Sequence, residues 1–184
     1  MQTTQLVRPL TMADLEGLPE TNDRYQIITG ELIVSPAPVP QHEEVSMRLI
    51  LPMGAAVAKL GAGKVYSAPT TVRLTEHDVV EPDIMFVANH HRSMVGKVIE
   101  GAPDLVVEIL SPSTRRTDLV RKMALYARAG VREYWIVDMK NRTVAVHALV
   151  DSRFELLANE GGFARSRVIE GFVIEVAPLF EDLW

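Results

Sequence analysis

Residues 103–138, PDLVVEILSPSTRRTDLVRKMALYARAGVREYWIVD, constrain the fold of this chain more than any other stretch. Leu105–Leu110 is an apolar, β-branched run of strand length, bounded by Pro103-Asp104 and by the turn-forming Ser111-Pro-Ser-Thr. Such a continuous run is the pattern of a central strand covered on both faces. A helical period follows, with Leu119, Val120, Met123, Ala124 and Ala127 at core spacing and Gly130 as its C-cap. A second strand, Tyr134–Val137, comes next. One residue breaks the first strand: Glu108. Burying an unpaired carboxylate costs several kcal/mol, so Glu108 asks for a cationic partner or a metal. Asp83 lies twenty-five residues earlier, introducing the apolar strand Ile84–Val87. If their carboxylates stand ~5 Å apart, they repel by ~3 kcal/mol at an effective dielectric of ~20, and a divalent cation turns that repulsion into binding energy. All-oxygen ligands suit Mg²⁺ or Mn²⁺ better than zinc.

The rest of the chain reads as follows. Thr11 caps a short helix, with Asp14 at N3. Tyr25–Ile28, Thr29-Gly30 and Glu31–Val34 form a hairpin, and Ser35-Pro-Ala-Pro-Val-Pro is an extended connector. A helix runs from about Gln41 to Lys59, with Pro52 expected to kink or split it. Lys64–Ala68 and Thr71–Leu74 are strands and Glu76-His77-Asp78 a turn. Asn89–Glu100 is irregular, and Thr143–Leu149, Phe154–Leu157 and Phe172–Val176 finish the sheet. The pattern is a central mixed sheet with one helix before it and one in the crossover, an α/β or α+β domain. The 184 residues, 47 % hydrophobic, fit one domain over 1–184. Cysteine is absent, which removes disulfides and thiolate chemistry and suits a reducing cytoplasm. No secretory signal and no membrane-length apolar run is evident. The net charge of −5 argues against a broad basic face for nucleic acid but leaves room for a local patch.

Lys122 borders the apolar stripe of the crossover helix and admits two readings. It is a solvated lysine paired with Asp118 four residues back, or it turns inward to steady an attacking water and the charge developing on a phosphate. Glu31, after the hairpin turn, and His42, at a helix start, are a plain strand residue and a surface or capping histidine on the same footing. Ser111 lies in ordinary turn chemistry, with no Gly-x-Ser-x-Gly elbow around it.

Several motifs follow one another in order: Gly30-Glu31-Leu, Ser35-Pro, His42, Glu81-Pro82-Asp83-Ile, Pro103-Asp104-Leu-Val-Val-Glu108-Ile-Leu-Ser-Pro-Ser-Thr, Asp118…Lys122…Tyr126 and Gly130-Val-Arg-Glu-Tyr-Trp-Ile-Val-Asp138. Together they resemble the Uma family of restriction endonucleases, in the PD-(D/E)XK nuclease superfamily, over roughly residues 10–180. The resemblance implies a restriction-endonuclease-like core and assigns Asp83 and Glu108 to the metal. The superfamily lysine stands two residues after the Glu, where this chain has Leu110. Lys122 is the candidate for a lysine migrated to the next helix.

The function expected on these grounds is Mg²⁺- or Mn²⁺-dependent hydrolysis of phosphodiester bonds in nucleic acid, with DNA as the substrate. Asp83, Glu108 and Lys122 carry the chemistry and Glu31 or His42 complete the shell. Arg115, Arg116 and Arg121, with Arg128 beside them, contact phosphates. Double-strand cleavage would favour a two-fold homodimer. Two rivals stand beside this: a nuclease fold kept as a nucleic-acid- or protein-binding module, favoured by Leu110 and the acidic charge, and a small-molecule hydrolase using the same carboxylates.

Overall fold

The computed structural model describes residues 8–19, 21–111, 117–159 and 161–183, without the side chains of Thr117 and Asp118. Helix α1 is Met12–Glu16, where the Thr11 N–H and hydroxyl both donate to Asp14 Oδ2, at 2.8 and 3.0 Å. Strands β1 (Arg24–Ile28) and β2 (Glu31–Ser35) form the hairpin. Its two turn residues, Thr29 and Gly30, have φ of 56° and 76°. Two positive φ values in a two-residue loop match the right-handed twist of the flanking strands.

Helix α2, Pro40–Leu60, starts on a proline that needs no N–H donor and stops at Gly61 in the left-handed region, with φ 59°. It buries His42, Val45, Ser46, Leu49, Met53 and Val57. Of the two outcomes expected at Pro52, a kink or a split, the split does not occur, since one helix runs through it. The residue is on the exposed face, where water can replace the lost backbone donor.

Then come β3 (Gly63–Ser67), β4 (Val72–Thr75), β5 (Asp78–Val80), β6 (Ile84–Ala88), a 3₁₀ turn at Asn89–Met94 and β7 (Ile99–Glu100). Strand β8 spans Leu105–Leu110, and the chain returns through a π-helical stretch, Thr117–Lys122, and helix α3, Met123–Ala129. Gly130, with φ 89°, ends α3. The remaining strands are β9 (Glu133–Asp138), β10 (Thr143–Val150), β11 (Arg153–Leu157), β12 (Phe163–Arg165) and β13 (Val173–Glu175).

Among the described residues the strands make a six-stranded mixed sheet, β11-β10-β9-β8-β6-β3, and a five-stranded sheet, β2-β1-β5-β4-β7. In the larger sheet β8 and β9 run parallel, as their helical crossover requires, and the other pairs are antiparallel. Two expectations are corrected. Residues 172–176 do not extend the main sheet; β13 pairs only with β12 in a two-stranded ribbon. Asp78, expected in a turn, opens β5. Its buried carboxylate accepts from the Thr29 N–H at 2.7 Å and the Thr75 hydroxyl at 2.9 Å, which ties the β1–β2 turn and the end of β4 to β5 within the smaller sheet.

The main sheet is covered on both faces. Leu105, Val107 and Ile109 pack with Val45, Leu49, Met53 and Val57 of α2. Val106 and Leu110 pack on the opposite face, with Leu125 and Tyr126 of α3 and with Ile28, Val72 and Val80 of the smaller sheet. No helix among the described residues is long and apolar enough to cross a membrane.

His147 on β10 titrates in a way that reports on folding. Burial pushes its imidazole below the usual histidine value, against the backbone of Tyr134 and Ala145, whose carbonyls favour the protonated ring and pull it up. Its Nδ1 is buried without a hydrogen-bond partner. A histidine with a lowered folded-state pKa gives stability that is complete above its unfolded value of about 6.5 and is lost as pH falls below it. The Tm of wild type relative to His147→Phe is therefore expected to be constant from pH 8 to 7 and to fall on acidification to pH 5. A difference that stays flat across that window would contradict the reading.

Candidate active site

The two acids converge because of strand register and side-chain alternation. Strands β6 and β8 pair with Ile84 opposite Val107 and Met85 opposite Val106. Continuing that register by one residue sets Asp83 opposite Glu108. Met85 and Val106 both pack on the α3 face of the sheet, so by the two-residue period Asp83 and Glu108 share that face. A direct link closes the pair: the Ile109 N–H donates to Asp83 Oδ2 at 2.8 Å. Both carboxylates are buried, at 4 % and 3 % exposure.

Each carboxylate is matched by cations. Arg24, from β1, places Nη1 2.7 Å from Asp83 Oδ1. His42, on the first turn of α2, places Nε2 3.2 Å from Asp83 Oδ2. On the other side, Lys122 Nζ lies 2.9 Å from Glu108 Oε1, and the Tyr126 hydroxyl donates to the same oxygen at 2.7 Å. Lys122 is 3 % exposed, so its side chain points inward and is not solvated. Asp118, the partner in the solvated reading, has its side chain outside the described residues. Lys122 ends the π-helical stretch and Tyr126 lies four residues on, so both face the sheet from one side of the crossover. π-Helical turns often occur at functional sites.

These partners control protonation. Burial pushes the Asp83 carboxyl up, but the hydrogen bond and charge of His42, the Ile109 N–H and Arg24 outweigh it and hold the group at about 2. Burial also pushes the His42 imidazole down, and Asp83 outweighs that and raises it. Glu81, two residues before Asp83, is raised by burial, against the charges of Arg24 and Lys122 and a hydrogen bond from Thr71. His42 Nδ1 is buried without a hydrogen bond, with Glu43 Oε1 at 3.6 Å.

Arg24, His42, Asp83, Glu108, Ser111 and Lys122 line one cavity of about 200 Å³. Arg24 also borders an adjoining groove of about 540 Å³, walled in part by Glu16, Asp23, Glu43 and Glu81.

Not every expected residue arrives here. Glu31 is an exposed residue of β2 whose Oε2 holds Arg121 Nη2 at 2.8 Å, and it does not line the cavity. The β1–β2 turn carries it to the far end of the hairpin from Arg24, so its expected part in the shell is not carried forward. Arg121 also donates to the Ile28 carbonyl at 3.1 Å, and Arg128 Nη2 lies 3.3 Å from Asp78 Oδ2. Both arginines are thus engaged by carboxylates. Arg115 and Arg116 lie outside the described residues. Conversely, two site residues had no role in the sequence reading. Arg24 carries no local signal, since its partner is 59 residues away. Tyr126 did carry one: it lies one helical turn after Lys122, and a tyrosine buried on the same side of the helix must find a partner for its hydroxyl.

Two buried acids on adjacent strands of a mixed sheet, one of them paired with an inward lysine, make a candidate site on an α+β scaffold. Among solved structures the chain is similar to a "putative nuclease belonging to DUF820" from Anabaena variabilis ATCC 29413, with a TM-score of 0.80 at 20 % identity, covering 94 % of this chain and 98 % of that one. The model of the Uma2 family, whose description is "Putative restriction endonuclease", matches residues 12–177, and the chain belongs to that family. No curated protein matches it.

Proposed function

We propose that this chain is a metal-dependent endonuclease that hydrolyses phosphodiester bonds in DNA. The observation that carries the proposal is the joining of Asp83 and Glu108 on one cavity, with Lys122 and Tyr126 buried against Glu108. Family membership and the shared fold support it.

The donor set fits a hard divalent cation. Both carboxylates are desolvated and offer oxygen only, the donor type a hard divalent cation takes, and the ion would displace the Arg24 and Lys122 contacts that balance them in its absence. Asp83 and Glu108 would hold Mg²⁺ or Mn²⁺. When bound, the ion supplies Lewis-acid polarisation of the phosphate and a more acidic water.

The chain's own groups do the rest. Lys122, fixed by Glu108, presents an ammonium that orients a water and offsets charge developing on a phosphate oxygen. Tyr126 donates to the same Glu108 oxygen that Lys122 contacts and holds the carboxylate in place. His42 and the Ile109 N–H keep Asp83 ionised and fixed in direction. Arg24, at the junction of the cavity and the larger groove, is placed to take a phosphate oxygen when substrate enters. The acidic wall of that groove disfavours duplex phosphates, so the arginines at 115, 116 and 121 are assigned the outer backbone contacts.

Two experiments test the proposal. Mg²⁺ or Mn²⁺ at about 100 times its Kd is expected to stabilise the protein by ~2.7 kcal/mol, and Asp83→Asn is expected to remove that gain. Equal stabilisation of Asp83→Asn and wild type would reject the assigned metal site. For DNA binding, neutralising Arg115 and Arg116 together is expected to lower the slope of log K against log salt by about 2. An unchanged slope would place the phosphate contacts elsewhere.

A further inference from the structure

A second cluster of metal-ligating side chains lies at the other end of strand β8, away from the cavity. Asp104 immediately precedes β8, four residues before Glu108, so about 13 Å of strand separates the two. Its side chain is fully buried. The Ala88 N–H, at the end of β6, donates to Asp104 Oδ2 at 2.8 Å and fixes the carboxylate. His90 and His91 follow in the 3₁₀ turn. His91 Nδ1 lies 3.1 Å from Asp104 Oδ2, and His90 Nε2 lies 3.9 Å from Oδ1. The two rings stand 4.1 Å apart between centroids, tilted by 51°. One donor atom from each of the three residues falls within 4.8 Å of the other two.

We propose that His90, His91 and Asp104 form a transition-metal site, separate from the carboxylate cavity and selective for Zn²⁺-class ions. Donors bound to Zn²⁺ at 2.0–2.1 Å in a tetrahedron lie roughly 3.3 Å apart. The His91–Asp104 separation is already at that value. His90, which is exposed, closes the remaining distance by side-chain rotation. Two imidazoles and one carboxylate suit Zn²⁺, Ni²⁺ or Co²⁺ and are poor ligands for Mg²⁺. Three protein ligands leave the fourth position to water. The Ala88 N–H bond to Asp104 is the outer support that orients a ligating carboxylate. Arg132 Nη1, 3.4 Å from Asp104 Oδ1, is the competing cation; its side chain is half-exposed and can withdraw to solvent. An ion here would tie the 3₁₀ turn to the start of the central strand.

The protein has no thiolate to compete for such an ion, which makes the test direct. Co²⁺ titration of the Asp83→Asn protein, followed by its visible absorption bands, isolates this cluster from the other site. We expect one Co²⁺ per chain, displaced by Zn²⁺ and not by a large excess of Mg²⁺. Losing a ligand costs at least what losing an outer partner costs, so His91→Gln and His90→Gln are each expected to weaken binding by ~10–100-fold. Arg132→Gln is expected to strengthen it. The double variant His90→Gln/His91→Gln should retain the Mg²⁺ response of the unsubstituted protein. No Co²⁺ bands, or Co²⁺ affinity unchanged in His91→Gln, would overturn the proposal and leave the cluster as a histidine–aspartate ion pair.

Discussion

Lys122→Met is expected to slow DNA cleavage by about 10²–10³-fold, the loss typical of removing one preorganised electrostatic group. The ammonium is buried 2.9 Å from Glu108 and lines the cavity with Asp83, so no solvent cation can replace it. The loss should fall on kcat, because the group acts on charge that develops during reaction. Metal binding should persist, since both carboxylates remain. Lys122→Arg is expected to recover little, because a planar guanidinium does not fit a site shaped for a compact ammonium. Cleavage by Lys122→Met at the wild-type rate would remove this residue from the chemistry. A raised KM with unchanged kcat would make it a binding residue only.

The second large effect is on stability. Glu108 and Lys122 are a buried ion pair, and removing one partner takes away the other's contact at 2.9 Å while leaving it charged and desolvated. Such breaks cost about 3–5 kcal/mol. Glu108→Gln and Lys122→Met should each lose about that much in urea unfolding without metal. The double variant should be much closer to wild type, with a coupling of up to ~3 kcal/mol. Against a total stability of about 5–15 kcal/mol, either single loss is large. Additive effects in the double variant would mean that the two groups do not act as a pair.

The central strand was legible because its cause is local. A six-residue apolar, β-branched run between turn residues is the length and composition of a central strand, and Leu105–Leu110 is observed with those bounds. The break at Glu108 was legible for the same reason, since a charge in such a run demands compensation. Arg24 was not, because nothing near it in sequence announces a contact with Asp83 across two sheets. Strand β5 was missed because Glu76-His77-Asp78 has turn composition, while Asp78 is held by hydrogen bonds from Thr29 and Thr75 that only the fold brings together. Glu31 misled for the converse reason. Its motif lies on the hairpin, but the turn directs it toward Arg121 and away from the cavity. The His90–His91–Asp104 cluster combines a residue pair adjacent in sequence with a third placed by strand pairing, so spacing alone did not reveal it.

The measurement closest to the central claim is cleavage of supercoiled plasmid DNA by the purified chain with Mg²⁺ or Mn²⁺, alongside Asp83→Asn and Glu108→Gln. The account predicts metal-dependent nicking or linearisation by wild type, none with chelator present, and at least a ~100-fold loss in each variant. A wild type that binds DNA but cleaves it with no divalent metal, or a Glu108→Gln protein that cleaves as fast as wild type, would contradict it.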